Sequence, residues 1–178
     1  RPVCSGFCRS HFINYFENKV RNTIRKFHLI KKTDKVGVAV SGGKDSTSLL
    51  YILKKLGYNV QAITVNANIG NYSKHNLKNI TEFCKKIDVT LHVIDFRNEY
   101  GHSLCYIRDI LKQKGYKYHS CVICGVLRRK ILNTHSKLLG FDRLATGHNL
   151  DDEVQAFLMN VFRNDKGRAL RAGPVSGI

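Results

Sequence analysis

An α/β fold built on a parallel sheet is what this sequence predicts, and three observations predict it. From Lys35 onward, short apolar runs rich in β-branched residues alternate with helical patterns. The first run, Val36 to Val40, passes through Ser41-Gly42-Gly43 into a helical pattern. The only prolines, Pro2 and Pro174, leave the middle of the chain uninterrupted. Such alternation places helices on both faces of a parallel sheet, with ligand sites at the carboxyl ends of strands beside a topological switch point.

Taken in order, residues 1–11 read as a metal-binding knuckle carrying Cys4, Cys8 and His11. Phe12 to Phe27 reads as a basic amphipathic helix, with Phe12, Tyr15, Phe16, Val20, Ile24 and Phe27 at helical spacing. Strands are expected at Val36–Val40, Val60–Val65, Leu91–Phe96 and Arg143–Thr146. Helices are expected at Thr47–Leu56, Lys74–Lys86, Ser103–Lys114, Gly125–Leu139 and Asp151–Arg163. A boundary near residue 30 would divide the knuckle and basic helix (1–30) from the α/β domain (31–178). No internal repeat or low-complexity linker is evident. After Phe162 the chain turns Arg/Gly-rich and stops without a closing element, so it reads as a piece of something longer.

At 178 residues and 43% hydrophobic content, the chain suits one sizeable domain with its own core. No apolar run approaches the ~20 residues of a membrane span, and no charged-then-apolar leader opens the chain. A cytoplasmic protein without membrane contact is the expectation. Lys and Arg outnumber Asp and Glu by 30 to 13, for a net charge of +17. A solvated lysine-rich surface would explain part of this excess, but one so large in one domain points to a polyanionic partner, nucleic acid above all. The excess is dense at Lys19–Lys35, Lys112–Lys117, Arg128–Lys130 and Arg163–Arg171, and the candidate contacts are Lys19, Arg21, Arg25 and Lys26 on the first helix, Lys112–Lys117 and the Arg163–Arg171 tail.

Ser41-Gly42-Gly43-Lys44-Asp45-Ser46 is the most specific local signal. A Gly-rich turn between strand and helix lets backbone N–H groups approach a phosphate, and the helix N-terminus adds partial positive charge. The spacing is not that of the Walker loop. The Gly42 and Gly43 amides and the Ser41 and Ser46 hydroxyls can take pyrophosphate oxygens, and Lys44 supplies a point charge. Asp45 is either a Mg²⁺ ligand or a carboxylate complementing the helix dipole. Gly147-His148-Asn149-Leu150-Asp151-Asp152-Glu153 follows another strand and opens another helix. If the two strands are neighbours, this turn faces Ser41–Ser46. His148 reads better as a capping or supporting residue than as a substrate contact.

Six cysteines in a cytosolic-looking chain argue against a disulfide framework. Cys84 and Cys105 fall within helical patterns and are expected to be small buried thiols. Cys121-Val122-Ile123-Cys124 has no second pair nearby, and spacing alone leaves zinc and an iron–sulfur cluster level. Cys4, Cys8 and His11 supply three candidate zinc ligands where a structural site needs four.

Ser41–Ser46 resembles the SGGxDS signature of the PP-loop ATP pyrophosphatases. Together with Cys121–Arg129 and Gly147–Glu153, in that order, it resembles the tRNA 2-thiouridine synthetases of the TtcA/TtuA/NcsA group. Ile69–Ser73 and Glu99–Gly101 look like segments of the TtuA/NcsA branch, and Cys8–Phe12 like the second half of its zinc finger. The resemblance spans nearly the whole chain. It implies ATP on the PP-loop, Mg²⁺, a [4Fe–4S] cluster, Zn²⁺ at the N-terminus, a tRNA substrate, a sulfur-carrier protein or free sulfide as donor, and a homodimer. Nucleotide contacts would fall on Ala39, Val40, Ser41, Gly42, Gly43, Lys44, Asp45, Ser46, Val65, Gly147 and Asp152. Cys121 and Cys124 would hold the cluster, with the family's third cysteine outside the sequence. Asp45, Arg128 (the basic residue one turn past the cysteine pair) and Asp152 would be catalytic.

The implied reaction adenylates the uridine C2 oxygen and then replaces it with sulfur. The low Pro and high Asn, Lys and Ile content has a mesophilic character that favours tRNA position 34 over 54. Two other readings compete: a different PP-loop ligase, which would not need Cys121–Cys124, and a non-catalytic zinc-knuckle RNA-binding module.

Overall fold

A computed structural model of the protein describes residues 6–68 and 70–169. Its centre is a sheet of four parallel strands in the order β3-β2-β1-β4: β1 (Lys35–Ala39), β2 (Asn59–Asn66), β3 (Leu91–Asp95) and β4 (Arg143–Thr146). The helices are α1 (Arg9–Lys26), α2 (Lys44–Lys55), α3 (Gly70–Lys86), α4 (Phe96–Tyr100), α5 (Leu104–Gln113), α6 (Ser120–Leu138), α7 (Leu150–Phe162) and α8 (Lys166–Ala169).

The period-2 alternation of the strands divides the core into two layers. Val36, Val38, Val60 and Ala62 face a layer closed by Ile24 of α1, Leu50 and Leu53 of α2 and Ile80 and Cys84 of α3. Ile63 and Ile94, with the partly buried Ala39 and Val65, face the other, closed by Phe96, Leu104, Ile123 and Ile131 of α4, α5 and α6. Leu50 and Leu53 are fully buried, each worth about 1.5–3 kcal/mol relative to exposure. The helices therefore cover both faces, as the alternation predicts.

Connections β1-α2-β2 and β2-α3-β3 cross one face, and the long β3-to-β4 connection returns across the other. Because parallel crossovers share one hand, returning over the opposite face puts β4 on the far side of β1. The switch point thus lies between β1 and β4, whose register pairs Ala39 with Thr146. Asp142 accepts a hydrogen bond from the Lys35 amide at 2.7 Å, and Lys35 Nζ donates to the Leu139 carbonyl at 2.7 Å. Both bonds hold the start of β4 beside the start of β1.

Several expected boundaries move. The first helix begins at Arg9, and Phe12 N–H already bonds to the Cys8 carbonyl at 2.9 Å. Nothing in Arg9-Ser10-His11 breaks a helix, so Cys8 is its N-cap and His11 lies in its first turn rather than in a knuckle loop. Cys4 lies outside the described residues. The sixth helix begins at Ser120, not Gly125, which puts Cys121 and Cys124 inside its first turns. Phe96, expected to end a strand, opens α4, because Asp95 caps that helix through the Arg97 amide at 2.8 Å. Cys84 is buried as expected, and burial pushes its thiol pKa up; Cys105 is exposed, against expectation.

α1 is bound to the α/β core, not suspended from it. Its one carboxylate, Glu17, is buried and pairs with Lys55 of α2 at 2.6 Å, and that hydrogen bond raises the Lys55 pKa. α7 differs: it is strongly apolar, yet none of its residues is buried, and Phe162 is 84% exposed. No helix among the described residues is long and apolar enough to cross a membrane.

Gly37 stands where β1 meets the Phe141 ring, and a Cβ there would overlap the ring edge. Gly37→Ala should therefore cost about 1–3 kcal/mol in chemical denaturation, as overpacking does. Pairing it with Phe141→Leu should recover part of that loss, and purely additive losses would contradict the packing account.

Candidate active site

The site is built at the carboxyl edge of the sheet, around the exit from β1. Val40 leaves the strand with its N–H on the Ile63 carbonyl at 2.9 Å. Gly42 then takes a positive φ of 85°, a conformation that favours glycine. Ser46 is buried and ties the turn together: its Oγ donates to the Gly43 carbonyl at 3.1 Å and accepts from the Ser41 amide at 3.2 Å. The Ser41 hydroxyl stands 3.3 Å from that of Ser46.

α2 begins at Lys44, three residues earlier than its periodicity suggests, with Gly43 as N-cap and no side-chain cap. Its first amides therefore lack the capping oxygen that most helices place there, and a free helix N-terminus is an anion site. Lys44 and Asp45, the first two helical residues, are exposed.

The turn after β4 closes on this loop from the side. A Cβ on Gly147 would lie 2.7 Å from the Ser46 nitrogen and 2.8 Å from its Cα, so the two backbones are in direct contact. Thr146 Oγ1 and His148 Nδ1 are 2.9 Å apart, which turns the exposed imidazole back onto the strand end. Asn149 caps α7 through the Asp151 and Asp152 amides, and Asp152 Oδ2 returns the bond to the Asn149 amide at 2.8 Å. This reciprocal box is the structural role of Asp152. It occupies one carboxylate oxygen and leaves the exposed side chain its other oxygen.

On the opposite side a cleft of about 240 Å³ opens between the sheet edge, α3 and α6. Ala39, Val40, Ser41 and Gly43 form one wall; Thr64, Val65 and Asn66 of β2 form the floor; Ser73, Asn76 and Leu77 of α3 and Arg128 and Leu132 of α6 close it. Arg128 brings a guanidinium whose Nε is buried without a hydrogen-bond partner. A buried, unpaired donor is costly in a folded chain and suits an anionic ligand.

α6 runs antiparallel to the strands, so its N-terminus overhangs the carboxyl edge. At 1.5 Å per residue, Cys124 lies about 6 Å and Cys121 about 10 Å along the helix from Arg128, toward the mouth. Cys121 is exposed and Cys124 half-buried, and both are free thiols. Two thiols at i and i+3 share one helix face and suit a common metal or cluster. Among the described residues no third His, Cys, Asp or Glu joins them. Among the described residues the N-terminal pair likewise has no third ligand beside it, and Cys8 Sγ lies 3.1 Å from His11 Nδ1. The Ser10 hydroxyl, then contacts with His11, hold the Cys8 thiol below its ordinary pKa.

Sequence reasoning named Val65 on the β2 floor but missed Asn66 beside it and the α3 wall. Asn66 and Asn68 converge on Asp95, with Asn68 Nδ2 donating to Asp95 Oδ1 at 2.8 Å and Asn66 Nδ2 to Asp95 Oδ2 at 3.2 Å. Burial pushes the Asp95 carboxyl up, but the Asn68 side chain and the Arg97 and Asn98 amides outweigh it and hold it below the usual range. The cluster fixes Asn68 at a φ of 54°, where β2 turns toward α3. Only the strand-end rule could have pointed to Asn66 from the sequence.

The description "PP-loop domain" fits a family model over residues 13–176 of the chain. The chain is 36% identical over 168 residues to the tRNA-5-methyluridine(54) 2-sulfurtransferase of Pyrococcus horikoshii, covering 94% of this chain and 52% of that protein. It is 35% identical over 170 residues to the cytoplasmic tRNA 2-thiolation protein 1 of Malassezia globosa, covering 92% and 44%. The U34-tRNA thiolase NcsA of Methanococcus maripaludis, solved with its [4Fe–4S] cluster, superposes with a TM-score of 0.82 at 32% identity, covering 97% of this chain and 56% of that one. The chain thus spans about half the length of the curated relatives it matches.

The Gly147 contact generates a sharp expectation. Its neighbour is backbone and cannot swing aside, so Gly147→Ala should push the Ser41–Ser46 turn off the cleft. Calorimetric titration with ATP should show affinity down at least about tenfold, with a stability loss within the ~1–3 kcal/mol typical of overpacking. Unchanged ATP affinity in the folded variant would mean the two turns move independently.

Proposed function

The chain belongs to the PP-loop family, and on that premise we propose that it carries the ATP-binding and sulfur-transfer residues of a tRNA-uridine 2-sulfurtransferase acting at position 34. One juxtaposition supports this above all: Arg128, which lines the cleft beside the uncapped α2 N-terminus, is on the same helix as Cys121 and Cys124 and one turn beyond them.

In this reading the ATP phosphates lie on the Gly42 and Gly43 amides and the Ser41 and Ser46 hydroxyls, while the adenosine follows the Ala39, Val40 and Val65 wall. Lys44 offsets charge on the departing pyrophosphate. Asp45 and the unengaged oxygen of Asp152 would hold Mg²⁺, which neutralises the triphosphate. The uridine O2 attacks the α-phosphorus, pyrophosphate leaves, and the resulting AMP ester makes C2 electrophilic. Arg128 stabilises the charge developing on the α-phosphate from a position already set by packing. A sulfur nucleophile adds at C2 and AMP departs; no net oxidation is needed. A [4Fe–4S] cluster held by Cys121, Cys124 and a third ligand supplies that nucleophile when bound. Sulfide, free or delivered by a carrier protein, replenishes it.

Cys8 and His11 would contribute to a zinc site, and residues 1–30 would form the N-terminal unit with 31–178 as the PP-loop domain. The basic surface would hold tRNA through its phosphates. Position 54 is the second reading, favoured by the name of the Pyrococcus relative. Mass-spectrometric mapping of 2-thiouridine in tRNA from a deletion strain decides between them.

Lys44→Ala and Asp45→Ala should each abolish AMP formation while unfolding remains cooperative, since both side chains are exposed. Normal turnover in either would remove the nucleotide assignment. Cys121→Ser and Cys124→Ser should each lose the absorbance near 400 nm of a thiolate-bound cluster, and thiolation with it, yet keep zinc. Metal analysis of anaerobically purified protein checks this, and zinc leaving with Cys121 would mean a zinc site instead.

A further inference from the structure

The loop between α5 and α6 presents two aromatic rings that the core does not use. Tyr116 and Tyr118 lie nearly parallel, at an interplanar angle of 10° with centroids 5.9 Å apart, and are 52% and 59% exposed. Neither hydroxyl hydrogen-bonds to another described residue. Tyrosines that serve a core bury the ring and satisfy the hydroxyl; these do neither.

The pair is held in place by the end of α5. Gly115 takes a φ of 84°, its amide bonds to the Lys112 carbonyl at 3.0 Å, and the Tyr116 amide to the Leu111 carbonyl at 3.0 Å. This is the paired-bond helix terminus that sets the direction of the departing chain. Two residues after Tyr118 the chain enters α6, so the rings stand at the carboxyl edge, three residues from Cys121.

The electrostatic setting is one-sided. From Ile110 to Phe141 the sequence has no Asp or Glu, while it has seven Lys and Arg. Lys112, Lys114 and Lys117, which surround the rings in sequence, are exposed and make no ion pair among the described residues. Exposed aromatic faces among unpaired cations fit the bases and phosphates of single-stranded nucleic acid.

We propose that Tyr116 and Tyr118 form a stacking platform for unpaired nucleotides of the RNA substrate, holding a loop of the tRNA beside Cys121 and Cys124. This rests on the tRNA reading above and deepens it: the protein would recognise an unpaired loop, with the lysines taking its phosphates. Double-stranded RNA keeps its bases stacked inside the helix and offers the rings nothing. The 5.9 Å spacing is too narrow for a base to slot between the rings, so stacking is on their outer faces.

The test measures affinity of the protein for a tRNA and for a fully paired RNA of equal length, against salt. Tyr116→Ala/Tyr118→Ala should weaken tRNA binding about fivefold or more, as loss of even one stacked base does, leaving duplex binding and the salt slope unchanged. Tyr116→Phe/Tyr118→Phe should retain wild-type affinity, because stacking needs the ring and not the hydroxyl. Replacing Lys112, Lys114 and Lys117 with Gln should do the complementary thing, flattening the slope by about 0.7–0.9 per lost phosphate contact. Tyr118→Trp places a single indole in a chain that has none, and tRNA should quench it more than duplex does. If wild type binds and thiolates tRNA while the double Ala variant matches it, or if the duplex loses affinity equally, the platform is wrong and the enzyme reading stands. If wild type neither binds nor thiolates tRNA, the enzyme reading fails and the platform with it.

Discussion

The contact between the Gly147 backbone and the peptide joining Asp45 to Ser46 is the constraint on which the site depends. It exists because β1 and β4 are hydrogen-bonded neighbours whose carboxyl ends finish level, Ala39 opposite Thr146. Any side chain at 147 would separate the two turns, and with them the opening amides of α2 and the capped start of α7. Two helix N-termini with their partial positive charge thereby meet at one edge, and the +17 chain adds Lys44 and Arg128 to the same place. The carboxylates Asp45, Asp151 and Asp152 are the local counterweight.

Helix α6 brings Cys121, Cys124 and Arg128 to that edge. Ile123 and Ile131 bury it in the core, the Tyr100 hydroxyl donates to its Leu127 carbonyl at 3.2 Å, and His135 pairs with Glu99 at 2.8 Å. Both ties come from α4, a single turn of helix that exists because Asp95 caps it. The same carboxylate gathers Asn66 and Asn68 on its other side, so one side chain braces the β2–α3 turn and, through α4, the helix that bears Arg128. A cleft whose two walls are braced through one shared carboxylate suits a ligand that must be held while a second reactant approaches.

How much of this was legible follows from the range of each signal. Strand β4 matches its expected bounds, and the other strands differ by a residue or two, since apolar alternation on a buried sheet is a local pattern. Helix starts were less visible: α2 and α6 each begin before their hydrophobic periodicity does, because a first turn overhanging a site carries Lys44-Asp45 or Cys121 instead of core residues. Cys105 was misjudged for a related reason, since a helical position does not by itself say which face is covered. α7 is the converse: Val154, Phe157, Leu158, Met159, Val161 and Phe162 give it a strongly apolar pattern, yet none of its residues is buried.

By itself the sequence determined the parallel α/β class, the Gly-rich turn between strand and helix, the cysteine pair and the excess of positive charge. Each rests on neighbours in the chain: a period of two, a glycine that permits positive φ, a spacing of i to i+3. Only the tertiary structure decided that Gly147 packs on Ser46, that Arg128 shares a cleft with Ser41 and Gly43, and that Asp95 braces both walls. Those relations join residues tens of positions apart. They follow from strand order and helix direction, which a linear pattern does not encode.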